Sequence, residues 1–194
     1  MYMASAADIQ PVAAALAKAF HDDPLTSWMF PDEASRPKRL TGLFSLLMRK
    51  QHLVHGEVWT LDGHPGAALW DPPDKWKLPV RDQILSLPSF LRVLGGRTVV
   101  AMQSLAQVEK VHPREPHWYL AVLGTEPAMQ GKGIGSSLMQ PVLERCDSEG
   151  LPAYLESSKE KNIPFYSRHG FEVTGEIKVG RGGPTIWPMW RNPR

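Results

Sequence analysis

The chain has a single cysteine, Cys146, in 194 residues. One cysteine excludes an internal disulfide and fits a reducing compartment, so a cytoplasmic location is expected. Neither sign of charge dominates: 22 Lys and Arg stand against 20 Asp and Glu, for a net charge of +2. That balance offers no basic stripe, so neither nucleic acid nor a membrane is expected as a partner. No apolar run reads as long enough to span a bilayer. The start, Met1-Tyr2-Met3-Ala4-Ser5-Ala6, lacks the basic segment and apolar core of a signal peptide. The seven histidines show no ligand spacing, and His52 and His55 have no sequence partners, so no metal is expected. The Gly-x-Ser-x-Gly elbow of serine hydrolases is missing too. What remains is an ordinary globular composition, 42% hydrophobic and 22% charged. At this length a single domain over 1–194 is expected.

The most informative stretch is Gln130-Gly131-Lys132-Gly133-Ile134-Gly135-Ser136. Before it, His117 to Leu123 is aromatic and apolar and suits a strand. After it, Leu138, Met139, Val142, Leu143 and Cys146 are spaced like the buried stripe of a helix. Glycines at such a junction let backbone approach a ligand, and the first N–H groups of the helix favour an anion. The stretch reads as a phosphate or pyrophosphate cradle, with a plain turn as the bland alternative. It is not a mononucleotide P-loop, because Gly133 follows Lys132 where Ser or Thr is required. It is a poor dinucleotide fingerprint, because Ser136 stands in the third glycine place and most of the chain precedes it.

Elsewhere the pattern is regular. Asp8 is expected to cap a helix running to Phe20, with Val12, Ala15, Leu16 and Ala19 as its buried stripe. A second helix is expected from Ser35 to about His52. Glu57–Leu61 and Gly66–Trp70 read as a hairpin. Residues 74–112 read as an inserted helical pair, bent at Pro88 and broken at Gly95-Gly96. It would cover an acceptor mouth, or serve as a packing appendage or dimer contact. Residues 117–125 form the central strand, where Gly124 is expected to mark a bulge. A helix with Pro141 in its interior follows the loop. Then come a strand over 153–157, a short helix over 162–169, and a closing antiparallel pair over 171–179 and 185–190. Pro188 is expected to place the last strand at a sheet edge.

Gln130, Gly133 and Gly135 fit the pattern Gln/Arg-x-x-Gly-x-Gly/Ala. Leu155-Glu156-Ser157, Asn162, Phe165-Tyr166 and Gly170-Phe171 follow in matching order. Together these resemble the GNAT superfamily of acetyltransferases over about residues 5–190. Pro113 to Leu120, the loop and Pro164-Phe165-Tyr166 are also similar to the puromycin N-acetyltransferase branch. The resemblance implies an α/β (α+β) fold, with one central mixed, mostly antiparallel sheet. That sheet is splayed at the acetyl-CoA site and has helices on both faces. It implies acetyl-CoA as cosubstrate and a small-molecule primary amine, such as a puromycin-like aminonucleoside, attacking directly in a ternary complex. Pyrophosphate contacts then fall on Gln130, Gly131, Lys132, Gly133, Ile134, Gly135 and Ser136. Pantetheine contacts fall on Leu123, Gly124 and Thr125, with Asn162 and Ser167 as further cofactor positions. Tyr166 matches the tyrosine beside the thioester sulfur. Asp22, Asp23, Trp28 and Phe30 would help wall the acceptor site.

The general base stays open between Glu156, Tyr119, His117 and water. A partly buried carboxylate is raised toward neutrality, and His117 and Tyr119 alternate onto one strand face. Monomer and homodimer are both compatible with the sequence. Two other functions also fit: an acyl-CoA-binding sensor without turnover, and a protein or peptide N-acetyltransferase. The first has no need of Tyr166 and Glu156. The second needs an open groove, which the insertion would obstruct.

Overall fold

The expected strands assemble into one eight-stranded sheet in the computed structural model, which describes residues 1–55 and 57–194. They are β1 (Tyr2–Met3), β2 (Val58–Thr60), β3 (Gly66–Asp71), β4 (Trp118–Thr125), β5 (Ala153–Ser157), β6 (Glu172–Val173), β7 (Ile177–Lys178) and β8 (Thr185–Arg191). The order is β1-β2-β3-β4-β5-β8-β6, with β7 also on β8. Among the described residues only β4 and β5 run parallel. The helices are α1 (Ile9–Ala19), α2 (Pro24–Met29), α3 (Arg36–Lys50), α4 (Val80–Leu94), α5 (Thr98–Val111), α6 (Ile134–Glu149) and α7 (Ile163–Arg168).

Strand alternation decides which helices cover which face. Ala67 and Leu69 of β3 pack with α1 and α3 residues such as Val12, Leu16, Leu40 and Phe44. Ala68 and Trp70, on the other face, pack with Leu138, Met139 and Val142 of α6 and Tyr166 of α7. The sheet is thus sandwiched, as the resemblance implied.

Four expectations are corrected. Ser5, not Asp8, opens the first helical segment. Its hydroxyl accepts from Ala7 N–H at 3.2 Å, while Asp8 reaches back to the Ser5 N–H at 2.7 Å. That reciprocal pair satisfies two donors a single cap would leave open. The bulge falls at Ala121, not Gly124: Leu69 pairs Val122, Trp70 pairs Leu120, and Ala121 is skipped. Gly124 stays in register with Ala67. Its missing side chain is explained by α1, since a Cβ there would lie 2.8 Å from both Leu16 Cδ2 and Phe20 Cε2.

The last strand is not at an edge: β8 lies between β5 and β6. The Pro188 carbonyl accepts from Thr174 N–H at 2.9 Å, so its absent N–H faces the same side. Only the reciprocal bond to Thr174 is missing, at the point where the partner is interrupted between Val173 and Ile177. Finally, Val80–Val111 meets the length and composition needed to cross a bilayer, contrary to the sequence reading. Gly95, at φ 56°, divides it into helices of 15 and 14 residues, each below the ~20 a span requires. Nothing in the structure explains Pro141, which α6 accommodates in its interior.

Candidate active site

β4 and β5 are partners only from Trp118↔Ala153 to Leu120↔Leu155. Beyond that rung Ala121–Thr125 continue along β3 but have no partner on the β5 side. The bulge at Ala121 begins where the two strands part. Backbone groups on that free edge must find partners, which makes it a receiving surface for the amides of an extended ligand.

The glycine loop lies at the mouth of this gap. Gly131 and Gly133 adopt φ 77° and 78°, a region that side chains disfavour. A Cβ on either would meet nothing within 4 Å, so the loop face is open. The N–H groups of Ile134, Gly135 and Ser136 come before the first bond of α6, Ser137 N–H to Gly133 O at 3.0 Å. They are free at a 16-residue helix's positive end, and the cradle fits a pyrophosphate. Gln130 Nε2 donates to Thr125 O at 3.1 Å and ties the loop to β4. Lys132 is exposed. Gly135 serves packing as well, since a Cβ there would lie 3.2 Å from Phe165 Cζ. Ser136 Oγ sits 2.9 Å from His169 Nε2. Asn162 makes no capping bond, and Ser167 is exposed on α7.

A row of cross-strand neighbours runs over the α1/α3 face: Asp71, Tyr119, Tyr154, Trp190. His117 and Glu156 share that face, each two residues from a member of the row. The Tyr119 hydroxyl donates to Glu156 Oε2 at 2.7 Å. Burial, then the Glu156 charge, hold the Tyr119 phenol well above its ordinary range. His117 Nδ1 meets Glu115 O at 2.6 Å, and burial pushes its pKa down. Asp71 is engaged by His52 Nδ1 at 2.9 Å and Gln51 Nε2 at 2.5 Å, all buried or half-buried.

Tyr166 comes from the opposite side. It is buried among Leu138, Met139 and Phe171, and burial with the Asp23 charge raises its pKa. The gap therefore has Glu156 and Tyr119 on one face and Tyr166 on the other.

Two members of this site, His112 and Trp76, carried no sequence signal. His112, at the end of the insertion, stacks on Trp76 with ring centroids 3.8 Å apart. Its Nδ1 lies 3.6 Å from Glu156 Oε1, and its Nε2 lies 3.1 Å from His117 Nε2. Nothing local marks it, because the whole 74–112 insertion separates it from β3 before it returns to the sheet. Tyr154 was legible, since it precedes Glu156 by two on one strand. The residues expected to wall the acceptor site have other duties. Phe30 lies in the core, and Asp23 caps α2 through Leu25 N–H at 3.0 Å and Thr26 N–H at 3.2 Å. Trp28 packs against Ile177, Val179 and Ile186, and Asp22 is exposed beside His21.

Comparison with known proteins agrees with this geometry. Residues 56–171 match the model of the acetyltransferase (GNAT) family. The chain is 31% identical over 192 residues to an uncharacterized N-acetyltransferase of Schizosaccharomyces pombe, covering 93% of this chain and 77% of that protein. The fold is similar to a crystal structure of histone acetyltransferase HPA2 and related acetyltransferase from Corynebacterium glutamicum. There the TM-score is 0.72 at 28% identity, over 98% of this chain and 94% of that one. A Drosophila melanogaster polyamine N-acetyltransferase that forms N-acetylagmatine shares the fold at TM-score 0.63 and 15% identity, over 98% of each chain. A splayed parallel pair, an anion cradle at its mouth, and a family match across both place this chain in the GNAT family of acetyltransferases.

Proposed function

We propose that the protein transfers the acetyl group of acetyl-CoA to the primary amine of a small molecule, with Glu156 as base and Tyr166 as donor to the sulfur. The observation that carries this reading is the β4–β5 gap, flanked from opposite faces by Glu156–Tyr119 and by Tyr166. Acetyl-CoA supplies an acetyl group activated as a thioester. The Ile134, Gly135 and Ser136 N–H groups hold its pyrophosphate, aided by the α6 dipole and the Gln130–Lys132 turn. Leu123, Gly124 and Thr125 pair through their backbone with the pantetheine arm, and a β4 N–H near Leu123 donates to the acetyl oxygen as negative charge grows. Asn162, just before α7, and Ser167 on it serve as further cofactor contacts in this reading.

Glu156 Oε2 is held by Tyr119, while Oε1 has no hydrogen-bond partner and is free to take the amine proton. Tyr166 does not act as a full acid. Its pKa is raised above 10, so complete transfer to a thiolate of pKa near 8.5 is uphill by more than ~2 kcal/mol. Donating a hydrogen bond to the developing charge costs no such transfer. Small amines are favoured over protein chains because the 74–112 insertion, whose α5 docks by the turn after β7 with Gln107 Oε1 accepting from Gly180 N–H at 2.6 Å, would obstruct an open groove. Puromycin-like aminonucleosides, agmatine and polyamines are the first acceptors to test. Thiol release from acetyl-CoA, followed across a panel of such amines, should be amine-dependent. Tight acetyl-CoA binding with no release for any amine would replace the enzyme with a sensor.

A further inference from the structure

The helical insertion is inside out. α4 buries Ser86, and α5 buries Thr98 and Ser104, whose Oγ turns back to donate to Val100 O at 2.7 Å. The long aliphatic side chains are exposed instead. Among the described residues thirteen large apolar side chains are exposed, and nine of them lie on this one helical pair. Only 17% of the most apolar window of Val80–Val111 is buried. A helix of a soluble monomer normally turns its apolar stripe to the core and its polar face to water. The nine side chains present on the order of 800 Å², above the ~300–600 Å² of the largest apolar patch on a typical monomer and close to the share that each partner gives a standard interface. The inner side of the pair is already committed to the body. Arg39 Nη1 of α3 donates to Val93 O at 2.9 Å, and Gln107 Oε1 accepts from Gly180 N–H.

We propose that the protein is a homodimer in which α4 packs on α4 of a second copy and α5 widens the contact. On α4 the exposed residues Val80, Ile84, Leu87 and Leu91 follow one another at the alternating four- and three-residue spacing of a coiled-coil seam. Such a seam takes another helix. A second copy placed antiparallel about a two-fold axis sets Val80 against Leu91 and Ile84 against Leu87. Every layer then joins two large aliphatic side chains, and the contact closes on itself without leaving a free end. Val99, Met102 and Leu105 of α5 are exposed at three-residue steps and extend the apolar area beside the seam.

Charge and composition favour a second copy over other occupants. The pair carries both signs, with Arg81, Asp82 and Arg92 on α4 and Glu109 and Lys110 on α5. A field of one sign would call for an unlike partner of opposite charge, whereas a mixed one tolerates its own copy. A bilayer surface is the poorer fit, because helices that lie in that interface anchor through Trp, Tyr or Phe. None of the nine exposed side chains is aromatic, and Phe90 of α4 packs inward on the α1–α3 core.

Sedimentation equilibrium tests this without acetyl-CoA or an amine, so its outcome is independent of the proposed chemistry. The wild type should sediment at twice its 21.7 kDa chain mass at micromolar concentration. Ile84→Glu together with Leu91→Glu sets two charges per chain into the seam and should raise the dimer dissociation constant at least about 100-fold. Both side chains are exposed in the single chain, so the variant should keep its fold and its circular dichroism. A monomeric wild type overturns the proposal, and so does a double variant that stays dimeric. If the double variant misfolds, hydrogen exchange of the wild type decides. Amides of 80–91 should exchange faster on dilution through the dissociation constant while those of β3 hold, and exchange independent of concentration overturns the interface. Flotation of a monomeric wild type with vesicles of equal phosphatidylcholine and phosphatidylserine would give this face to a lipid surface instead.

Discussion

The Tyr119 hydroxyl reaches from β4 to β5 and donates to Glu156 Oε2 at 2.7 Å, one residue before the last β4–β5 rung. This contact fixes the carboxylate at the apex of the gap and leaves its second oxygen unpaired. Glu156→Gln should therefore lower kcat by about 10²–10⁴ with acetyl-CoA affinity nearly unchanged. Tyr119→Phe should lower it less, since a hydrogen bond to a charged group is worth ~1.5–3 kcal/mol and the base itself remains. Steady-state kinetics with calorimetric acetyl-CoA binding check both. A larger loss in Tyr119→Phe than in Glu156→Gln would exchange their roles.

The tyrosines give a spectroscopic check that needs no substrate. Tyr119, Tyr154 and Tyr166 are all raised above the ordinary phenol range, first by burial, and Tyr2 is raised as well. These are the four tyrosines of the chain. A phenolate titration of the folded protein should show Tyr119, Tyr154 and Tyr166 un-ionised at pH ~10, where free tyrosine is half ionised, with Tyr2 the first to titrate. All four should ionise normally after denaturation. Tyr166→Phe should lower turnover about tenfold or more while acetyl-CoA affinity holds.

Two glycines should fail in different ways. At Gly124→Ala the new Cβ meets Leu16, Phe20 and Ala19 at 2.8–3.1 Å, and a packed helix cannot retreat cheaply. A loss of ~1–3 kcal/mol is expected, read as a lower Tm. At Gly131→Ala nothing lies within 4 Å, but φ is 77°. That costs ~1–2 kcal/mol of backbone strain and displaces the loop, so acetyl-CoA affinity should fall as well. A Gly131→Ala protein of unchanged affinity would release the loop from its assigned role.

Acid should weaken the fold through histidine. Burial depresses His169, whose Nε2 meets Ser136 Oγ at 2.9 Å, and Arg168, Arg191 and Arg194 add to the shift. Burial depresses His117 as well. Between the folded pKa and the unfolded value near 6.5, the unfolded chain binds more protons, so stability falls as pH falls through that window. Denaturant unfolding from pH ~7 to ~5 should show this decline, and His169→Gln should flatten it. Cys146 behaves as core: burial pushes its thiol up to about 12, so it should resist alkylation until unfolding.

Local pattern carried the elements and the loop. Alternation in 117–125 and 153–157, the Leu138–Cys146 stripe and the glycines of 131–135 are signals within a few residues of one another, and they hold in the structure. Gly124 and Pro188 were misread for the same reason. Each obeys a local rule about strands, but the cause of Gly124 is the α1 surface, and the licence for Pro188 is a break in a neighbouring strand. Phe30 and Asp23 looked like acceptor contacts only because a sequence does not show which way a turn faces.

The sequence by itself determined the order of strands and helices and the glycine loop between β4 and α6, because these follow from periodicity and from spacing along the backbone. Only the tertiary structure decided what surrounds Glu156. Tyr119 reaches it across a parallel pairing, and His112 reaches it after a helical excursion anchored on α3 and on the turn at Gly180. Side-chain contacts at 2.7–3.6 Å between residues 37 and 44 positions apart are set by packing, which no local pattern encodes.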